Sequence, residues 1–344
     1  MKMKKLINEP DSIADELLEG LAASHADLVE LTGNRLLVRR RPKAPGKVPI
    51  VFGQGVGHEP GYDGMLGYGM HDVEVPGDIF TCASGQRIFE GIKLAWEQSG
   101  HTPVLVLVAN HEGDVLNARA AMELAEDADI DARHVLLYDD IATAPKGREN
   151  ERRGMAGMTF SFKVAGAMSE LGADRDAIIK KVAAVNAATR TLAVAVRSAT
   201  IPTSGQALFA LADDEIVIGP GVHGEAGPEG PIKLPTADEA MRIVAERVIE
   251  DGEIESGSDV LVLLNGSGST TLMELFILYR SLASILETRN IRPHEPLIGN
   301  VVTTQEMAGF SLSLCPADDD TKTYWSATVH TPYFKKFGPE LRTP

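Results

Sequence analysis

Apolar residues recur along this chain with two periods. Residues 84–95, 115–125, 160–171, 176–189, 236–249 and 272–285 carry them at helical spacing, and so do residues 11–22, where Asp11-Ser12 precedes the first apolar position as a capping signal. Short runs at 36–38, 50–52, 103–109, 134–138, 191–196, 259–264, 296–302 and 310–314 predict strands, and 103–109 is continuously apolar, as a strand covered on both faces should be. The runs 207–211 and 215–218 read as antiparallel partners joined by the turn Ala212-Asp-Asp214. Between 103 and 138 the order is strand, polar loop, helix, strand, the signature of a βαβ unit. The expected fold class is therefore α/β. With 344 residues the chain exceeds the size, about 250–300 residues, at which single cores stop growing. Two α/β domains are expected, each with a central, largely parallel or mixed sheet flanked by helices, divided into residues 1–190 and 191–344.

Three polar loops interrupt this pattern. The run 48–52 is followed by Gly53-Gln-Gly-Val-Gly-His-Glu-Pro60, where glycines at alternate positions predict a tight turn that backbone or ligand can approach closely. His58 then stands at a strand's carboxyl end, where open α/β sheets bind ligands. The loop Asn110-His-Glu-Gly-Asp-Val-Leu-Asn117 puts Asp114 in the same situation, and Gly219-Pro-Gly-Val-His-Gly-Glu-Ala-Gly227 exposes His223 on a loop. Plainer readings stand beside these: a glycine turn with a surface histidine, a helix N-cap for Asp114, a solvated loop histidine for His223. Gly64, Gly67 and Gly69 predict a packed backbone approach.

Several function classes fall away. The first loop lacks G-x-G-x-x-G spacing and runs into proline, and no G-x-x-x-x-G-K-[ST] loop exists. Net charge is −16 without a basic, aromatic-laced patch, so no nucleic-acid partner is expected. No apolar run approaches the ~20 residues of a membrane helix, and the basic start lacks the apolar core of a signal peptide, so no membrane association and a cytoplasmic location are expected. Cys82 and Cys315 lie far apart, as core or incidental thiols. No metal site is expected; Asp318-Asp-Asp320 reads as a solvated turn, and residues 265–271 hold at most a weak anion-binding signal at a helix start.

Together, in this order and spacing, GQGVGHEP, NHEGDVLN and GPGVHGEAG resemble the substrate-binding subunit of the dihydroxyacetone kinase family. The likeness extends to Lys4-Lys-Leu-Ile-Asn8, Pro76-Gly-Asp-Ile-Phe80, Arg152-Arg-Gly-Met-Ala-Gly157, Met307-Ala-Gly-Phe310 and His330-Thr-Pro332, so it covers essentially the whole chain. The resemblance implies a homodimer of two-domain chains, with His223 attacking the carbonyl of a small ketose to form a hemiaminal. It implies Asp114 as general base toward the terminal hydroxyl and His58 as hydrogen-bonding assistant to carbonyl addition. Gly55, Gly57, Ala109, Asn110 and His111 match substrate-binding positions. No cofactor is implied on this chain. ATP or ADP with Mg²⁺ would come on a nucleotide-binding helical kinase subunit, because no stretch here resembles that domain.

Departures bear on substrate. The family's usual lysine is Ala109, its tyrosine and threonine are His111 and Glu112, its glycine and serine are Gln54 and Val56, and its asparagine-leucine-glycine segment is Gly266-Ser-Gly268. These changes suggest a larger relative of dihydroxyacetone, a four-carbon or branched five-carbon ketose or an oxo-sugar acid. The family also includes ketose sensors that coactivate transcription without phosphorylating, which is the alternative reading.

Overall fold

The computed structural model describes residues 4–225 and 227–338. The chain forms two units, each drawn from separated stretches: a first of Ile7–Leu137, Thr159–Ala184 and Thr323–Pro344, and a second of Met1–Leu6, Tyr138–Met158 and Val185–Lys322. The expected division at residue 190 lies near one crossing, at Ala184/Val185, but the chain also crosses at 6/7, 137/138, 158/159 and 322/323. Packing explains the interleaving. The stretch 159–184 returns to bury Phe162 against Phe52, with ring centroids 4.7 Å apart, and 323–338 sets Trp325 against Phe160 at 5.2 Å.

The first unit contains α1 (Ile13–Ser24), β1 (Val29–Thr32), β2 (Leu36–Arg39), β3 (Ile50–Val56), β4 (Val73–Ile79), α2 (Gly85–Gln98), β5 (Val104–Ala109), α3 (Glu112–Asp127) and β6 (Ala132–Leu137). Then come α4 (Met158–Glu170) and α5 (Arg175–Ala188). Its sheet has the order β1-β2-β4-β3-β5-β6, parallel from β4 to β6 with β1 and β2 antiparallel at one edge. One face packs Val51, Val75, Val104 and Val106 against Ile88 and Ile92 of α2 and Ala118, Ala121 and Ala125 of α3. Phe52, facing the other way, meets α4, whose Phe160, Phe162, Val164, Ala165 and Ala167 are all fully buried. The helix is buried on its polar positions too: Lys163 donates to the Tyr324 carbonyl (2.7 Å) and Ser169 to that of Val48 (2.5 Å), so their polar ends are satisfied inside the protein.

In the second unit follow β7 (Arg190–Arg197), β8 (Glu215–Ile218), β9 (Ile232–Lys233), α6 (Ala237–Asp251), β10 (Asp259–Gly266), α7 (Leu272–Thr288), β11 (Arg292–Gly299) and β12 (Ala308–Pro316), and α8 (Asp319–Ser326) spans the crossing at 322/323. The pair β13 (Val329–His330) and β14 (Lys335–Lys336) closes the described chain in the first unit. The second sheet, β11-β10-β12-β7-β8-β9, is mixed, with α6 and α7 packed on it through Met241, Val244, Val248, Leu275, Leu278 and Leu282. Two α/β units, with sheets flanked by helices, match the expected class. Among the described residues no helix is long and apolar enough to cross a membrane.

Local expectations change in four places. Residues 207–211 form no strand: Leu208 and Phe209 instead cover Ala195, Ala199, Val217 and Met307, and β8 pairs with β7 and β9. Strand β11 starts at Arg292 rather than 296, and Pro293 and Pro296 are tolerated because β11 is an edge strand. The acidic run 318–320 caps α8, with Asp318 accepting from the Thr321 N–H (2.8 Å) and Asp319 paired with Lys322 (2.8 Å). Finally, β3 runs on to Val56, so Gly53 and Gly55 are strand residues and the turn begins at Gly57, with φ of 110°. Gly55 is required by packing against backbone: a Cβ there would lie 2.6 Å from Thr81 N and 2.8 Å from Asp78 O. Gly55→Ala should cost about 1–3 kcal/mol, measured as a lower urea midpoint at unchanged m-value.

Candidate functional site

In the first unit, β3 connects to β4 on one side while β5 connects to β6 on the other, so the winding reverses between β3 and β5. Ligands of such sheets bind outside the carboxyl ends at this switch point. Strand β3 delivers Gly57 and His58 there; β5 delivers Ala109, Asn110, His111 and, through the first turn of α3, Asp114. His58 is 3% exposed, with its ring 5.2 Å from that of Phe80. The Gly57 N–H donates to the Glu59 carboxylate (2.7 Å), which fixes the turn.

Asp114 is 6% exposed and is the third residue of α3, so it is not the N-cap. His111 holds that position without a side-chain capping bond. The helix N-terminus favours a carboxylate at Asp114. One turn on, the Asn117 amide donates to Cys82 Sγ (3.2 Å) and Gly113 O (3.0 Å) and accepts from the Gly85 N–H (2.9 Å), which ties the starts of α2 and α3 together. Burial and the nearby charge of Asp114 push the Cys82 thiol up. Ala109 is fully buried opposite Leu137 of β6.

The second unit holds His223 in the loop after β8. Its backbone N–H donates to Glu225 Oε2 (2.9 Å), and its Nδ1 stands 3.4 Å from Glu225 Oε1. Arg153 Nη1 is 3.6 Å from the same oxygen. Burial pushes the Glu225 carboxyl up, but the hydrogen bond and charge of His223, with Arg153 behind it, outweigh burial and hold it well below the usual carboxylate range. A Cβ at Gly221 would fall 2.0 Å from Glu225 Oε2 and 2.4 Å from Arg153 Nη1, so a side chain there would displace the ends of both residues. A carboxylate facing Nδ1 favours the tautomer with its proton on Nδ1 and its lone pair on Nε2, which is a nucleophile's arrangement.

Residues 152–157 support this loop. Arg152 makes a bidentate pair with Asp251 (2.7 Å each), and the Asp139 carboxyl accepts from the N–H groups of Met155 (2.6 Å) and Gly157 (3.0 Å). Burial pushes Asp139 up to about 7. The segment 265–271 serves internal structure: Asn265 accepts from the Val301 and Val302 N–H groups (2.9 Å each), and Thr271 and Glu274 cap α7 reciprocally.

The sequence did not point to a group of buried acids in the first unit. Glu74, in β4 between Leu37 and Phe52, is fully buried, and its Oε2 lies 2.8 Å from Nε2 of the equally buried His71. Burial, then the charges of Asp63 and Asp114, push Glu74 well above the usual range; burial and Glu59 do the same to Asp63. Burial pulls His71 down to about 3, so the contact joins a neutral acid to a neutral imidazole. The available signal was four acidic or histidine residues, Asp63, His71, Asp72 and Glu74, inside a stretch otherwise rich in glycine and apolar residues.

Comparison with known proteins gives a consistent picture. The family model described as the Dak1 domain matches residues 19–333. The chain is 37% identical over 318 residues to the dihydroxyacetone-binding subunit DhaK of PTS-dependent dihydroxyacetone kinase 1 from Listeria innocua, covering 92% of this chain and 95% of that subunit. The D-erythrulose kinase of Mycolicibacterium smegmatis is 35% identical over 335 residues, covering 97% of this chain and 57% of the kinase. Among solved structures, the dihydroxyacetone kinase operon co-activator Dha-DhaQ superposes with a TM-score of 0.87 at 27% identity, over 96% of this chain and 99% of that one.

The buried acid has a measurable consequence. A carboxyl whose folded pKa is raised binds its proton more tightly when folded, so its contribution is complete below the unfolded value of 4.5 and is lost as pH rises toward the folded value. Glu74→Gln should remove up to about 1.4 kcal/mol per pH unit from the fall in unfolding free energy above pH 4.5. Urea titrations of both proteins at stepped pH provide the measurement, and identical slopes would contradict the assignment.

Proposed function

The chain belongs to the Dak1-domain family as a DhaK-type substrate-binding subunit, and from that premise we propose that it holds a ketose covalently for phosphorylation. The observation that carries the reading is the His223–Glu225 pair, with Nδ1 facing a carboxylate. In this mechanism Nε2 attacks the ketose carbonyl carbon and the C=O electron pair moves onto oxygen. His58 hydrogen-bonds that oxygen and assists its protonation, while the Nδ1 proton passes toward Glu225. The hemiaminal keeps every atom of the ketose and fixes a flexible, hydrated molecule in one orientation before the transfer step. Asp114 accepts the proton of the terminal hydroxyl as that oxygen attacks phosphorus.

The phosphoryl group comes from ATP held with Mg²⁺ on a separate helical subunit, the chain itself acting as a homodimer in the cytoplasm. The substrate is a four-carbon or branched five-carbon ketose or a related oxo-sugar acid; likeness to a D-erythrulose kinase supports it, as do Ala109, His111 and Glu112. The likeness to an operon co-activator favours a second reading, a ketose sensor that forms the adduct without transferring phosphate.

The test is phosphate transfer from ATP, with a nucleotide-binding subunit present, across dihydroxyacetone, D- and L-erythrulose and branched pentuloses. Turnover is expected, with a larger ketose preferred; a preference for dihydroxyacetone over all of them would refute the substrate assignment. Asp114→Asn should lower turnover by about 10²–10⁴ while intact mass still shows the adduct, and His223→Ala should lose the adduct. Adduct with every ketose tried but turnover with none would establish the sensor.

A further inference from the structure

The Arg152–Gly157 segment and the Asp139-Asp140 pair have no part in the chemistry above, yet they converge on it. Arg153 is fixed twice. Its backbone carbonyl accepts from the N–H groups of Asp139 (3.0 Å) and Asp140 (3.1 Å), and its own N–H donates to Thr143 Oγ1 (3.2 Å). Its guanidinium donates through Nε (3.1 Å) and Nη2 (2.8 Å) to Oδ2 of Asp140, a residue 1% exposed whose Oδ1 accepts the Ala142 N–H (3.0 Å). The remaining nitrogen, Nη1, reaches toward Glu225 Oε1 at 3.6 Å, the oxygen that faces His223 Nδ1.

We propose that Asp140 and Arg153 are positioning residues for the covalent step, acting through Glu225 to hold the His223 imidazole in the tautomer that attacks the ketose. This rests on the proposed role of His223 as attacking group. The geometry sets up a competition for the guanidinium. Asp140 takes it at hydrogen-bonding distance and leaves only a longer contact to Glu225, enough to restrain that carboxylate without drawing it off the imidazole. Without the Asp140 charge, Arg153 closes onto Glu225 and Oε1 turns away from Nδ1. Without Arg153, Glu225 loses the restraint on its far side. A planar fork spans two carboxylates, which a lysine ammonium cannot do, so lysine is no substitute here. The ends of Glu225 and Arg153 both lie where a Cβ at Gly221 would stand, so a side chain there would disturb their contact.

The test uses the full chain with its nucleotide-binding partner and three readouts: the ketose concentration giving half-maximal adduct by intact mass, kcat and KM separately, and the ¹⁵N shifts of His223, identified by their loss in His223→Ala. In Asp140→Asn and Arg153→Gln we expect the half-adduct concentration and KM to rise together by about ten- to a hundredfold, with kcat at saturation nearly unchanged. The His223 nitrogen signals should move from the Nδ1-protonated pattern toward a tautomer mixture, a readout that needs no ketose. Arg153→Lys should not rescue either change. If Asp140→Asn does not fold, Arg153→Lys carries the test with the same expectations. Wild-type adduct formation and unchanged ¹⁵N shifts in the clamp variants, with adduct lost in His223→Ala, would overturn this inference alone. Adduct persisting in His223→Ala would instead remove the nucleophile on which it rests.

Discussion

Strand β3 is hydrogen-bonded to parallel strands on both sides, to β4 through Val51–Val73 and to β5 through Val51–Val106. That double pairing imposes most of what surrounds it. Parallel neighbours require crossovers, so helices must cover both faces, and α2 and α3 do so on one face while α4 is drawn in to bury Phe52 on the other. It also aligns the carboxyl ends of β3 and β5, which brings His58 and the Asp114 loop to one edge. The cost falls on the sequence just beyond the apolar run. Gly55 must lack a side chain because the chain after β4 crosses over it, and the residues that follow have to turn within the space left.

Burial of charge is handled in two ways in the first unit. Arg39 pairs with Asp72 (3.0 Å) and Glu170 (2.6 Å), and Lys43 with Asp72 (2.7 Å), so these ions are compensated. Replacing such a pair with apolar residues can be neutral, whereas removing one partner strands the other. Among the described residues Glu74 and Asp63 pair with no such cation; burial raises their proton affinity instead. The choice matters for Asp114. Coulomb repulsion is reciprocal, so an ionised Glu74 would raise the proton affinity of Asp114 just as Asp114 raises that of Glu74. A neutral acid at Glu74 lets an ionised Asp114 stand near it without that repulsion.

Much of this was legible in the residues. Helices showed through because a 3.6-residue period survives whatever packs against it, and α2, α3, α6 and α7 begin within three residues of where spacing puts them. Periodicity could not separate strand from covering loop at 207–211, where the apolar side chains pad a small cluster with no neighbouring strand to pair with. Nor could it show the interleaving, since nothing local marks 159–184 as belonging with the sheet that precedes Leu137. His58, Asp114 and His223 drew notice because loop glycines announced them. Asp63, His71 and Glu74 did not, because their importance lies in a shared burial that no single position reveals. Arg153 and Asp140 were visible only as parts of motifs, and their meaning depends on distances across 72 positions of sequence, from Arg153 to Glu225.

Fold likeness reaches its limit at the choice between kinase and sensor. A TM-score of 0.87 to an operon co-activator and extensive identity to kinase subunits describe the same scaffold, so the scaffold cannot decide between them. Holding a ketose through His223 serves either role equally, and so does every contact that shapes that loop. What separates the roles is a group needed only when phosphorus is attacked. In the proposed mechanism Asp114 is such a group: it is the third residue of α3 rather than its N-cap, and it is buried where the helix N-terminus favours a negative charge. A protein that only sensed the ketose would gain little from burying a carboxylate there, because desolvating that charge costs stability and adduct formation does not use it. That asymmetry, more than any overall likeness, is why the kinase reading stands first.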